Sequence, residues 1–232
     1  MLFKPLLGTD LSGKVGGLVA SHNAGGAYFR AATIPTNPNT TFQQAVRNAF
    51  AQLSSLWVDT LTQTQRDEWE LYAANVPLTN RIGEQHNVSG LNMYVRSNTP
   101  RLQTGIARVD DGPPVFDLGG YSAPTLSGWS EATQTGDINF SVSAFSDPWA
   151  NEVGGFMLGF ISRPQNPGVK FFRGPYRVQV TVTGDPVPPV SPSTFGSPFP
   201  ITAGQRLFGR AVTMRADGRL SADSFFTTLV GA

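Results

Sequence analysis

Apolar residues recur along this chain with two different periods, and the change from one to the other divides it. Phe42, Val46, Ala49, Phe50, Leu53, Leu56 and Trp57 are spaced three and four apart, which sets them on one face of a helix of about four turns. Thr40 with Gln43, and Thr41 with Gln44, both fit the capping-box spacing at its start. Pro35 and Pro38 stiffen the approach, and Asp59-Thr60-Leu61 breaks the pattern. A second capping box, Thr62 with Gln65, opens a helix through Trp69, Tyr72, Ala73 and Val76 that Pro77 ends. Residues 78–88 read as a loop. A third helix starts at Ser89 and carries Leu91, Tyr94 and Val95 before Pro100.

Ahead of the helices, residues 15–34 read as a glycine-rich β-hairpin, with strand formers flanking a turn at residues 22–26. Two short strands are marginal alone, and glycine inside a strand marks close approach by another backbone. The segment is either an arm that docks on a neighbour or a hairpin folded on its own domain. Beyond residue 124 the period becomes two. Ile138, Phe140 and Val142 alternate with polar residues, as do Tyr176, Val178, Val180 and Val182, and Phe156, Leu158 and Phe160 form another run. A proline-rich connection spans 186–200, and Asp217-Gly218 marks a turn between the last two strands. Six to seven such strands predict an antiparallel sandwich. The expected fold is α+β: residues 1–105 a β-hairpin arm with a small three-helix unit, 106–124 a linker, and 125–232 the β-sandwich.

Composition sharpens this. The 232 residues hold 43 Gly and Pro and are only 14% charged, with net charge +1. Nine basic residues face six acidic in 1–108, and eight face ten in 109–232, so neither half has the excess that phosphate-backbone binding demands. Three of the 17 basic residues are Lys and the rest Arg; this reflects either interface chemistry or biased base composition. With no Cys there are no disulfides and no thiolate sites. The first residues lack the apolar stretch of a secretory signal, and no apolar run approaches the ~20 residues of a membrane span. A soluble chain is expected, with neither nucleic acid nor membrane among its partners.

Catalytic chemistry is sparse. His22 sits in the expected turn and His86 in the loop before the third helix, which suits solvated or structural roles better than metal binding. Asp110-Asp111 and Asp67-Glu68 are adjacent carboxylates whose side chains diverge, and they read as solvated surface acids. No serine elbow occurs. Gly13-Lys14 is followed by Val15, so the glycine-rich start is not a phosphate loop. Arg66 lies beside Asp67, Glu68 and Glu70, which repel phosphate. The expectation is no catalytic residue, metal ligand or cofactor. The candidate interface is Val15, Gly16, Gly17, Leu18, Tyr28, Phe29 and Arg30 of the arm, with Arg219 at the last turn as an exposed hairpin tip or a contact for an anion or a protein partner.

Several strings carry a resemblance: Ser12-Gly13-Lys14-Val15-Gly16-Gly17, Tyr28-Phe29-Arg30, Pro35-Thr36-Asn37-Pro38, Gln43-Gln44, Leu53-Ser54-Ser55-Leu56-Trp57, Leu61-Thr62-Gln63-Thr64-Gln65-Arg66-Asp67-Glu68-Trp69 and Ser89-Gly90-Leu91-Asn92-Met93-Tyr94-Val95. Over residues 10–105 they resemble uncharacterised proteins of tailed phages and prophages. The second half is similar to a fibronectin type III or immunoglobulin-like sandwich without the cysteine pair, residues 207–214 being the penultimate strand and 216–221 the last hairpin. The resemblance implies a virion structural protein (capsid decoration, neck or tail component) assembled in the host cytoplasm. It would dock on a particle lattice through its N-terminal half, contacting other virion proteins and further copies of itself, and project the sandwich. The alternative is a carbohydrate- or receptor-binding adhesion module in which Trp129, Trp149 or Tyr121 stacks on sugars; these aromatics equally suit plugs for the sandwich ends.

Overall fold

Two of the three capping-box spacings form and fix where the first two helices begin, whereas Thr41 is itself the first helical residue and does not cap with Gln44. In a computed structural model, which describes residues 2–3, 12–34, 36–37, 39–80, 82–117, 119 and 121–232, the Thr40 hydroxyl accepts from the Gln43 N–H while the Gln43 side chain accepts from the Thr40 N–H. Thr62 and Gln65 repeat the arrangement. The helices run Thr41–Asp59 (α1), Gln63–Asn75 (α2) and Gly90–Thr104 (α3). The chain divides into two units, Met1–Phe116 and Asp117–Ala232. It is a mixed α and β protein with three described helices and several antiparallel sheets.

The three helices of the first unit close on a small aromatic core of Leu53, Leu61, Trp69, Tyr72, Ala73, Met93 and Tyr94. The Trp69 ring meets those of Tyr72 and Tyr94 edge-on at 5.9 and 5.6 Å, the geometry that ring quadrupoles favour. Contrary to expectation, α3 runs through Pro100. A proline there removes one N–H, yet the next residue, Arg101, is buried and donates to the Ala107 carbonyl at 3.0 Å. Tertiary contacts thus hold the turn beyond the proline. Gly105 ends the helix in the left-handed conformation, φ 74°. Residues 78–88 are likewise more ordered than a plain loop: Leu78–Thr79 (β1) and Gln85–His86 (β2) pair antiparallel.

Residues 106–116 do not behave as a linker either. They fold back over the helices as a strap. The Trp69 indole donates to the Asp110 carbonyl at 2.9 Å, Asn98 bonds Val109 in both directions, and the Gly112 N–H donates to Glu68 Oε2 at 3.0 Å. A Cβ on Gly112 would lie 2.6 Å from the Glu68 backbone carbon, so the strap is in van der Waals contact with α2. The sequence signal here, Asp-Asp-Gly-Pro-Pro, is that of a turn-rich connection; it does not reveal that the segment is anchored.

The glycine-rich start is larger than one hairpin. Gly13–Val15 (β3), Leu18–Asn23 (β4) and Gly26–Ala31 (β5) form a meander, and Leu2–Phe3 (β6) adds to its far edge. Gly16, at φ 56°, allows the reversal at residues 16–17. Ala24 and Gly25 form the second turn, so His22 lies in a strand rather than a turn.

The second unit holds seven strands: Thr125–Ser130 (β7), Thr135–Asn139 (β8), Phe156–Ser162 (β9), Tyr176–Thr183 (β10), Ser193–Gly196 (β11), Arg206–Met214 (β12) and Ser224–Leu229 (β13). They make two antiparallel sheets, ordered β10-β9-β12-β13 and β11-β8-β7. Leu126, Trp129 and Ile138 from the second sheet share one core with Met157, Ile161, Val182, Leu207 and Ala211 from the first. The proline-rich connection contains β11, and β7 was not signalled by alternation. Gly209 admits the Phe226 ring, which a Cβ there would meet at 1.9 Å. The Glu152 carboxylate ties the last turn down, accepting from Arg215 Nε at 2.7 Å and the Ala216 N–H at 2.8 Å.

Candidate docking face

Strand register sorts the N-terminal sheet into two unlike faces. Val15 lies opposite Leu18, and Leu18 opposite Ala31; in the next row of the same face Gly13 opposes Ala20, and Ala20 opposes Phe29; His22 opposes Ala27 in a third. Successive side chains point to opposite faces, so Val15, Leu18, Ala20, Ala27, Phe29 and Ala31 share one side with His22. Lys14, Val19, Ser21, Tyr28 and Arg30 share the other. The first face is almost wholly apolar, and its free end is open: Val15 is 81% and Leu18 52% exposed. Among the described residues, a Cβ added at Gly13, Gly16 or Gly17 would meet nothing within 4 Å. Between residues 12 and 34 no side chain is buried.

A polar contact pins this sheet to the helical part of its unit. The Asn80 amide donates to the Gly25 carbonyl at 2.7 Å and, through its oxygen, accepts from the Ile82 and Glu84 N–H groups, both at 3.0 Å. The β4–β5 turn thereby sits on the β1–β2 turn, with His86 near Gly25.

The apolar face predicted for α1 divides as well. Leu53 is buried and Trp57 packs on Tyr94 at 5.6 Å. Two turns earlier Val46 is 36% and Phe50 54% exposed; they continue the stripe past the core instead of completing it. Arg47, the one ionised side chain between Thr41 and Val58, bends back to Asn37 and Asn39 at 2.8 and 3.3 Å and stiffens the connection to the sheet.

Of the sequence-predicted interface residues, Val15, Gly16, Gly17, Leu18 and Phe29 gather on this face or its turn, while Tyr28 and Arg30 occupy the opposite one. Arg219 lies in the other unit and is buried: its Nε donates to Asp217 at 2.7 Å and a terminal nitrogen to the Asp117 carbonyl. It closes its own turn, and the reading of an exposed tip is corrected. Sequence reasoning missed Val46 and Phe50 as surface residues, because periodicity marks an apolar stripe without saying how far the core beneath it extends.

The acids are structural. Asp110 accepts from Arg108 at 2.7 and 3.0 Å and from the Tyr94 hydroxyl at 3.3 Å. Burial first, then the Asp110 charge, pushes the Tyr94 hydroxyl up to about 12. Asp111 accepts from Gln65 at 2.8 Å and Asp67 from Gln63 at 2.6 Å, so neither carboxylate pair converges and Asp110 is not merely solvated. Among the described residues no group of three or more His, Asp and Glu side chains could hold a metal ion, and no helix is long and apolar enough to cross a membrane. Trp129 and Trp149 are buried in the second unit's core and the Tyr121 hydroxyl pairs with Ser224 at 2.5 Å, so the tryptophans proposed to stack on sugars are core plugs. No protein-family model, no curated protein and no solved structure matches the chain.

Proposed function

We propose that this chain is a structural protein of a phage particle, a capsid-decoration, neck or tail component, that assembles through its N-terminal sheet and carries Asp117–Ala232 as a module of fibronectin type III kind. The observation that carries the reading is the apolar end of the sheet face, where Val15, Leu18 and Ala31 stay exposed. Apolar surface left in water costs about 25 cal/mol per Å², and an amphipathic sheet with one face open gains that back when a neighbouring subunit covers it. The resemblance of residues 10–105 to tailed-phage proteins supplies the setting.

For the second unit, the support is strand order. Counted from β7 as first, strands five, two and one form one sheet and four, three, six and seven the other. The constant-type immunoglobulin arrangement keeps the fourth strand with the first sheet; here it pairs with the third, as in fibronectin type III modules. The full-length Val15→Asp/Leu18→Asp variant tests the function. In particles of the phage or prophage that encodes the chain, its incorporation, measured by immunoblot of purified particles, is expected to fall at least tenfold. Undiminished incorporation overturns the proposal.

A further inference from the structure

Two apolar pairs of the first unit stay exposed, Val15 with Leu18 on the sheet face and Val46 with Phe50 on α1, and one pairing covers both. We propose that the sheet face of one copy packs on the first half of α1 of a second copy, and reciprocally, so that the chain forms a twofold dimer. The inference rests on the reading of the sheet as a docking face and names the neighbour that fills it.

Three observations select a second copy. First, the surfaces fit in size. Residues 41–52 make a helix ~18 Å long at 1.5 Å per residue, and the six-residue strands β4 and β5 are ~20 Å long and stand ~4.8 Å apart with β3. Two such contacts related by a twofold axis bury on the order of 1,000 Å², about the least that a specific dimer needs. Second, neither surface carries charge that must be desolvated. Arg47 is the sole ionised side chain of that helical half and is turned toward Asn37 and Asn39; the sheet's cations, Lys14 and Arg30, lie on its opposite face. A solvent-facing helix ordinarily carries charged residues, whereas Gln44, Asn48, Gln52 and Ser55 flank this stripe. Third, the surfaces do not cover each other within one chain. The connection between them is fastened at both ends, by the Ala32 N–H on the Gly17 carbonyl at 2.8 Å and by the Thr40 capping box, and Val15, Leu18, Val46 and Phe50 all stay exposed. Face-to-face pairing of two sheets would leave the α1 stripe in water; the reciprocal arrangement leaves neither.

The absence of cysteine gives a test with no background. Leu18→Cys and Phe50→Cys are made singly in the full chain, and both sites are exposed, so folding is preserved; circular dichroism checks this. The two variants, one carrying a size tag, are mixed and treated with a short bismaleimide. The expected result is a mixed, singly linked dimer in at least fivefold excess over either self-linked species, with sedimentation showing a dimer that Phe50→Asp dissociates. Self-linking of Leu18→Cys without mixed product overturns the inference in favour of sheet-on-sheet pairing. A monomer at all concentrations also overturns it; if Val15→Asp/Leu18→Asp still blocks incorporation into particles, the docking face stands and its neighbour is a different protein.

Discussion

Tyr94 shows how a single side chain joins two parts of the first unit. Its ring belongs to the aromatic core, against Trp57 and Trp69, and its hydroxyl reaches the Asp110 carboxylate that Arg108 also holds. Burial and the neighbouring negative charge both favour the neutral phenol, which lifts its pKa from 10.0 to about 12. The unfolded chain loses this proton near pH 10, while the folded chain keeps it until about pH 12. A raised folded value contributes stability that is whole below pH 10 and drains away as pH climbs through 12. Helical ellipticity at 222 nm, followed during thermal unfolding at stepped pH, should therefore show a midpoint that falls steeply between pH 10 and 12. Tyr94→Phe removes the proton and should flatten that alkaline slope. An equal slope in the variant would mean that some other group governs it.

The strap of residues 106–116 is the element whose character the sequence concealed. Its glycine, prolines and paired aspartates carry no periodicity, and periodicity is what distinguishes helices and strands in a single chain. What anchors it is long-range: Trp69, Asn98, Gln65 and Glu68 each spend a polar group on its backbone or side chains. If the strap is structural, Gly112→Ala should destabilise the first unit by ~1–3 kcal/mol, the usual cost of overpacking, read by chemical denaturation; a free linker would accept the methyl at no cost. The capping boxes, by contrast, were legible residue by residue, because a cap is a contact over three positions. The proposed docking face was half legible. Val15 and Leu18 could be named from the glycine-rich string, but not that Gly16 and Gly17 turn the chain between them and so return both to one face. Arg219 is the opposite case: its turn position suggests exposure, but Asp217 and the Asp117 carbonyl hold its side chain.

For the whole molecule, the decisive fact is that each unit owns its core. The helical cluster draws only on residues between Leu53 and Leu102, and the β cluster only on residues between Leu126 and Val230. Cooperative unfolding follows shared burial, so two cores with no member in common should melt in two transitions. Two glycines give a matched pair of probes. A methyl on Gly112 collides with Glu68 in the first unit, and a methyl on Gly209 collides with the Phe226 ring in the second. In scanning calorimetry of the full chain, Gly112→Ala should lower only the transition that carries the helical signal. Gly209→Ala should lower only the other, by roughly 4 °C per kcal/mol lost for a unit of this size. Both transitions moving together with either variant would show that the units fold as one, and the proposal of an anchoring unit that carries a separate module would then fail.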